Sequence, residues 1–209
     1  LIRYRVWVEI KYLLALQGSP IGSCGLSEEQ TNSIKKIGEE FSIEDSNRIK
    51  ELESVTNHDV KSVEYFIKGK LEGLGLHSIK EWVHFGLTSQ DINNTSFPLM
   101  IKDGYERILR PMIIETIEQI KTTADSLKHI PMLARTHGQP ASPTVMGKEI
   151  MVFVERLNNQ MRLLDQVPWQ GKFGGAVGNM NAHYIAYPEY EWHDWAKGFL
   201  DSIGLERQT

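Results

Sequence analysis

Cysteine is all but missing. Cys24 is the only one in 209 residues, so no internal disulfide can form, and a reducing, cytoplasmic setting is expected. Basic charge is not in surplus either: 23 Lys and Arg stand against 27 Asp and Glu. That argues against a nucleic-acid polymer as partner, because a phosphate backbone is held by clustered cations. No apolar run approaches the roughly 20 residues of a membrane span, so no membrane partner is expected. Metal-ligand spacings such as HExxH or CxxC do not occur, and no metal site is expected. Convincing strand alternation is scarce, and there is no internal repeat or low-complexity tract.

What is present is helical periodicity. Apolar residues make up 41% and charged residues 24%, an ordinary balance for a chain that buries a core. Val6, Ile10, Leu13 and Leu14 fall on one face of a first helix. "GSPIGSCG" (Gly18 to Gly25) reads as a breaker-rich loop. Ser27 and Gln30 form a capping box ahead of Ile34, Ile37 and Phe41. "SIEDSNRIKELE" reads as a solvated helix. Val60, Val63, Ile67, Leu71 and Leu74 keep helical spacing up to a stop at Gly73 or Gly75, and Ser78 with Glu81 caps a further short helix. In the long segment from Thr88 to Ile130, Ile101, Tyr105, Ile108, Met112, Thr116, Ile120 and Leu127 trace a drifting stripe, which Pro98 and Pro111 bend or restart. Val145, Ile150, Phe153, Val154, Leu157, Met161 and Leu164 mark another long helix.

The fold class is therefore all-α: a small N-terminal helical domain (1–80) followed by part of a long antiparallel helical bundle (81–209). The opening "LIRYRVWVEIKYLLAL", without a methionine, and the closing "GLERQT" read as the middle of a longer protein, cut at both ends. No signal-peptide pattern is present.

The connector between the two long helices is the unusual stretch. "LARTHGQPASP" (Leu133 to Pro143) sets Arg135, Thr136, His137 and Gln139 on a frame of Gly138, Pro140 and Pro143, where a helix–helix connection needs only turn residues. A histidine there exchanges protons near neutral pH. Three more histidines sit in polar, turn-like or helix-start contexts: His58 in "TNHD", His84 in "WVHFGLTSQD" and His183 in "GNMNAH". His77, His129 and His193 lack such company and are expected on surfaces. Thr88 and Ser89 ahead of Asp91 serve equally as a helix N-cap or as donors to a carboxylate or phosphate at a helix N-terminus. Asn57-His58-Asp59 also precedes a helix, and a cap by Asn57 or Asp59 is the plainer reading. "GKFGGAVGNMNAH" (Gly171 to His183) lacks the GxxxxGK[ST] phosphate-loop pattern; it reads as a flexible turn or as backbone lining a pocket.

Four blocks, "TNHDVKSVEYF", "WVHFGLTSQDINN", "RTHGQPASPTVMGKE" and "GKFGGAVGNMNAH", in this order and spanning nearly the whole chain, resemble the fumarase/aspartase superfamily. Within it they are most similar to the adenylosuccinate lyase family. "THGQP" with a preceding "TS.D" is shared loosely across the superfamily, whereas "TNHDVK" and "GAVGNMNAH" narrow the match. The resemblance implies a C–N lyase of purine biosynthesis. Such enzymes eliminate fumarate from adenylosuccinate, leaving AMP, and from succinylaminoimidazole carboxamide ribotide (SAICAR), leaving AICAR. It implies that His137 is the acid that protonates the leaving nitrogen. Asn57, His58 and Asp59 become a nucleotide-binding and acid-supporting block, with His58 taking part in catalysis. Thr88 and Ser89 become ligands of the succinyl carboxylates, Gln139 orients the substrate, and His84 stands beside the site. No cofactor is implied; a homotetramer with shared active sites is.

The family's base is a serine in a mobile loop of SSxMPxKxNP type, and residues 1–209 contain no such stretch. The chain by itself is therefore expected not to turn over. Two other readings stand beside this one. Another lyase of the superfamily, such as argininosuccinate lyase or a cycloisomerase, is disfavoured by "TNHDVK". A non-catalytic helical scaffold is favoured, for the isolated chain, by the missing serine loop.

Overall fold

The computed structural model describes residues 1–22 and 25–208. Ser23, Cys24 and Thr209 lie outside the described residues, and with them part of the loop expected over Gly18–Gly25. Helices dominate: α1 (Ile2–Ala15), α2 (Glu28–Glu39), α3 (Ile43–Thr56), α4 (Asp59–Gly73), α5 (Ser89–Gly104), α6 (Arg110–Ser126), α7 (Met146–Leu164), α8 (Asn181–Ala186) and α9 (Trp192–Ser202). The chain divides into two compact units, Leu1–Ile101 with Trp169–Thr209, and Lys102–Pro168. The boundary expected near residue 80 falls inside the first unit; as a division into domains it stands as a proposal.

In the first unit the helix ends follow local chemistry. Ser27 and Gln30 exchange hydrogen bonds in the expected capping box, at 3.1 and 2.9 Å. Ser42 and Asp45 do the same for α3, a second box that the acidic run concealed. α4 stops where Gly75 takes a positive φ, with Leu76 N–H bonded to Leu71 C=O and Gly75 N–H to Glu72 C=O, the paired bonds of a Schellman end. The cap expected from Ser78 and Glu81 does not form. Only a 3₁₀ turn, Lys80–Trp82, follows, with no side-chain cap, and Glu81 instead pairs with Lys68 at 2.8 Å.

α1 is buried on two sides. Val6, Ile10 and Leu13 pack with Ile34, Ile49, Val63, Ile67 and Leu71. Val8 and Tyr12 pack with Phe173, Met180, Trp192 and Phe199 from the chain's end. A helix with core on both sides needs more than one apolar stripe, which explains its few exposed residues. Two short strands, β1 (Pro131–Thr136) and β2 (Gln139–Val145), belong to the second unit; β3 (Gln170–Lys172) pairs in parallel with β4 (Glu206–Gln208) in the first.

The second unit is an antiparallel helical hairpin. Gly147, opening α7, lies against Ala124 and Lys128 at the end of α6. Asp165, just after α7, accepts from Tyr105 Oη (2.7 Å) and Arg110 (3.1 Å) where α6 begins. The expected break at Pro111 appears as a π-turn over Tyr105–Leu109 immediately before α6; proline has no N–H for the regular helical bond. The expected stripe is only partly buried. Ile117, Val154 and Met161 form a small core with Ile113, Ile120 and Leu157. Ile108 and Met112 are exposed, because α6 turns Ile113, Ile117 and Ala124 inward instead, and Phe153 of α7 is exposed as well.

His183 sits in the first turn of α8, a helix start as its context suggests, but it is fully buried and ties α8 to α1. Its Nε2 lies 2.7 Å from Tyr12 Oη, which itself donates to Phe85 C=O at 2.6 Å. A hydroxyl has one proton to give, so His183 donates from Nε2 and its buried Nδ1 is left without a partner. Burial lowers its pKa to about 4. The sign follows: below the ordinary value of about 6.5 the unfolded chain takes up a proton that the folded chain refuses, and stability falls until the pH reaches the folded value. In urea titrations at pH 7 and 4.5, the His183→Gln variant should lose roughly 2 kcal/mol less stability on acidification than the parent. An equal loss in both would exclude a buried neutral His183.

Candidate functional site

Two helix N-termini meet in the first unit. His58 precedes α4, and Ser89 opens α5; His58 Nε2 and Ser89 Oγ are 3.3 Å apart. His58 Nδ1 accepts the Lys61 backbone N–H at 3.1 Å, so the ring itself caps α4. With Nδ1 occupied as an acceptor, the neutral ring carries its proton on Nε2 and donates it to Ser89. The Ser89 hydroxyl hydrogen is then free for another acceptor.

Asn57 ends α3 in the left-handed conformation, φ 50°, a position Asn tolerates. Asp59 Oδ2 is engaged by Arg5, 2.5 Å away, and Arg5 Nε also reaches Asn93 of α5 at 2.9 Å. Asp59 therefore ties α1 to α4; its Oδ1 accepts the Val60 N–H at 2.9 Å, while the N-cap position itself is held by His58, not Asn57.

The alternatives for Thr88, Ser89 and Asp91 separate here. Asp91, third residue of α5, supplies the reach-back half of a capping box: its Oδ2 accepts the Thr88 backbone N–H at 2.9 Å, and it is fully buried. Its carboxylate also accepts from the N–H groups of Gly174 (2.9 Å) and Gly175 (3.0 Å) and from Lys172 Nζ (3.1 Å). The glycine-rich stretch is thus a folded loop held by one carboxylate. Neither the Thr88 nor the Ser89 hydroxyl is used as a cap of α5 among the described residues.

His84 lies on the loop before Thr88. Its Nδ1 is 2.5 Å from Glu9 Oε1 of α1, and Lys61 and Glu64 of α4 are among the charges that act on it.

His137 and Gln139 belong to the second unit, where "LARTHGQPASP" is not an irregular connector but a β-hairpin. β1 and β2 pair antiparallel with Thr136 opposite Gln139. The two turn residues, His137 and Gly138, have φ of 47° and 76°, the geometry of a type I′ turn. Pro140 and Pro143 are tolerated because both strands of a two-stranded ribbon are edges. His137 stands exposed at the tip. Of the remaining histidines, His77 and His129 are exposed as expected, whereas His193 is half-buried and accepts from Arg207 at 2.8 Å.

Backbone strain marks the same segments. Among the described residues, the non-glycine residues with positive φ are Asn57, His84, His137 and Met180, one in each of the four sequence blocks. Side chains are rare in that region of backbone space and concentrate where function demands a particular geometry. A cavity of about 480 Å³ lined by Ser33, Lys36, Asp45 and Lys70 holds none of these residues. Sequence reasoning missed Arg5, Glu9 and Lys172. The signal for the first two was available: charges four residues apart that interrupt the apolar first helix.

Residues 19–204 match the family described as lyase, and the chain belongs to that family. It is 47% identical over 208 residues to an adenylosuccinate lyase of Dictyostelium discoideum, covering 96% of this chain and 44% of that protein. It is 42% identical over 209 residues to the adenylosuccinate lyase of Escherichia coli K12, covering 99% and 46%. The chain thus spans just under half the length of these curated relatives. In fold it is similar to a fumarate lyase from Mesorhizobium sp. BNC1 (TM-score 0.79, 20% identity, 100% of this chain and 46% of that one). It is also similar to a β-carboxy-cis,cis-muconate cycloisomerase from Acinetobacter calcoaceticus (TM-score 0.77, 15% identity, 100% and 47%).

Replacing Asp91 by Ala takes the counter-charge from a half-buried lysine and leaves two buried glycine N–H groups without their acceptor. It should cost about 3–5 kcal/mol in urea unfolding, and adding Lys172→Met should recover part of that. A loss under about 1 kcal/mol would mean the carboxylate is not the tie described here.

Proposed function

We propose that this chain is part of an adenylosuccinate lyase, a purine-biosynthetic C–N lyase that releases fumarate from adenylosuccinate and from SAICAR. The observation that carries the reading is the 42–47% identity to curated adenylosuccinate lyases along nearly the whole chain. The four motif blocks support it, each with one strained non-glycine residue.

The chemistry divides as follows. Removing a proton beside a carboxylate builds negative charge, which donors fixed at that carboxylate stabilise. Thr88 and Ser89, at the N-terminus of α5, fill that role, with the helix dipole adding to it. His58 donates to Ser89 and keeps its hydroxyl hydrogen turned to substrate, with Asn57 and Asp59 shaping the same corner. His137, on its rigid turn, gives the departing nitrogen a proton, and Gln139 beside it orients the substrate. The proton-abstracting serine comes from a segment of the complete protein that residues 1–209 do not include. The complete enzyme is a cytoplasmic homotetramer in which copies complete each other's sites. The exposed apolar side chains of the hairpin, Met112, Phe153 and Leu163 among them, support that assembly.

In the complete protein, His137→Ala should lower kcat for fumarate release by roughly a hundredfold or more. Chain 1–209 alone should show no release. Near-normal turnover by the variant would remove His137 from the mechanism, and no release by the complete parent protein would remove the function itself.

A further inference from the structure

Glu9 is a carboxylate in the middle of α1 with none of its surface in contact with water. One oxygen, Oε1, meets His84 Nδ1 at 2.5 Å. The other, Oε2, is buried with no partner. A carboxylate so placed is tolerated only beside a cation, and removing that cation would leave an uncompensated buried charge. His84 pays for its side of the contact too: it holds a left-handed backbone, φ 62°, which a histidine adopts only when its surroundings demand it. The ring is mostly buried, with 16% of its side chain exposed, and Nε2 is not among the buried polar atoms that lack partners. Nδ1 is thus turned inward to Glu9 while Nε2 keeps access to solvent.

We propose that Glu9 is a positioning residue that holds His84 as a charged donor, with Nε2–H directed outward to an anionic oxygen of the substrate. The identity of that ligand rests on the lyase reading above; the Glu9–His84 pair does not.

The charges around the ring fit this role. Glu9 faces it from α1, and Glu64 and Lys61 from α4. Glu64 is itself neutralised by Lys61 at 2.8 Å and Lys68 at 3.1 Å, which leaves Glu9 as the unshared counter-charge. Burial disfavours the charged imidazole, but the bond to Glu9 outweighs it and raises the His84 pKa above its ordinary value. A raised value means the pair is intact below about pH 6.5 and is lost as pH climbs through the folded value. Two anionic groups are available on the proposed substrate. AMP carries only the phosphoryl group and fumarate only carboxylates, so the two ligands tell them apart.

The test uses the complete protein and two readouts. In the first, histidine ring resonances are followed by NMR against pH, with His84 assigned through His84→Gln. His84 in the parent should titrate above the ordinary value of about 6.5, and in the isosteric Glu9→Gln variant its midpoint should drop to that value or lower. In the second, AMP and fumarate affinities are measured by calorimetry at pH 6 and 8. Glu9→Gln should weaken one of the two roughly tenfold at pH 8, with a smaller deficit at pH 6, where the unsupported imidazole protonates unaided. A merely structural role would give equal deficits at both pH values. Thermal unfolding of Glu9→Gln verifies the fold, and His84→Gln should give the same pH 8 deficit should Glu9→Gln prove unstable. A parent midpoint at or below 6.5, a midpoint unmoved in Glu9→Gln, or a deficit independent of pH would each overturn the proposal. Failure of the parent to bind either ligand would instead overturn the lyase reading, while the NMR titration still decides whether Glu9 holds His84 charged.

Discussion

One buried carboxylate organises the first unit. Asp91 takes the backbone N–H of Thr88, those of Gly174 and Gly175, and the ammonium of Lys172. No water competes for it, so each of these bonds is strong and the loss of any one is expensive. Its consequences run in two directions. Asp91 reaches back to fix the Thr88 backbone at the start of α5, while the hydroxyls of Thr88 and Ser89 make no cap bond among the described residues. Because it grips the glycine loop, Gly174 can receive the Met180 N–H at 2.8 Å. Met180 leads into α8, where His183 meets Tyr12 of α1. A chain of hydrogen bonds thus joins the start of α5 to the first helix.

Most of the fold was legible from local chemistry. The capping box at Ser27, the stop at Gly75 and the break at Pro111 each depend on residues near in sequence, and each occurs. The failures are as informative. The hairpin around His137 was concealed because Pro140 and Pro143 argue against strands, and a two-residue His-Gly turn is a weaker signal than Asn-Gly. The stripe through Ile108 and Met112 was misassigned because a π-turn shifts the phase of everything after it. His183 lies at a helix start, one of the contexts its polar neighbours Asn179 and Asn181 suggest, but its burial against a partner 171 positions away is a tertiary effect that no local pattern encodes.

His58, Asp59, Thr88 and Ser89 stand out in the sequence, but the hydrogen bonds that divide their work do not. The sequence alone left open whether Thr88, Ser89 and Asp91 form a cap or a ligand site, since the same residue types do both. Three dimensions separate them: the acid takes the backbone N–H of Thr88, and Ser89 meets His58. His58 follows the same logic. A capped Nδ1 fixes its tautomer, which no sequence pattern encodes. Arg5 and Glu9 look like stray charges on an apolar helix until their partners, Asp59 and His84, arrive from elsewhere in the chain. His137, by contrast, stands at an exposed hairpin turn with a positive φ.

The central claim is that the α5 N-terminus, capped by Asp91, leaves two hydroxyls free to hold a carboxylate. It is tested most directly by removing both, Thr88→Ala with Ser89→Ala, in the complete protein carrying His137→Ala so that substrate persists, and measuring adenylosuccinate and AMP affinities by calorimetry. The account requires adenylosuccinate binding to weaken by roughly tenfold or more while AMP affinity and the unfolding midpoint hold. Unchanged adenylosuccinate affinity with a lowered unfolding midpoint would contradict it, and would return Thr88 and Ser89 to the ordinary work of a helix cap.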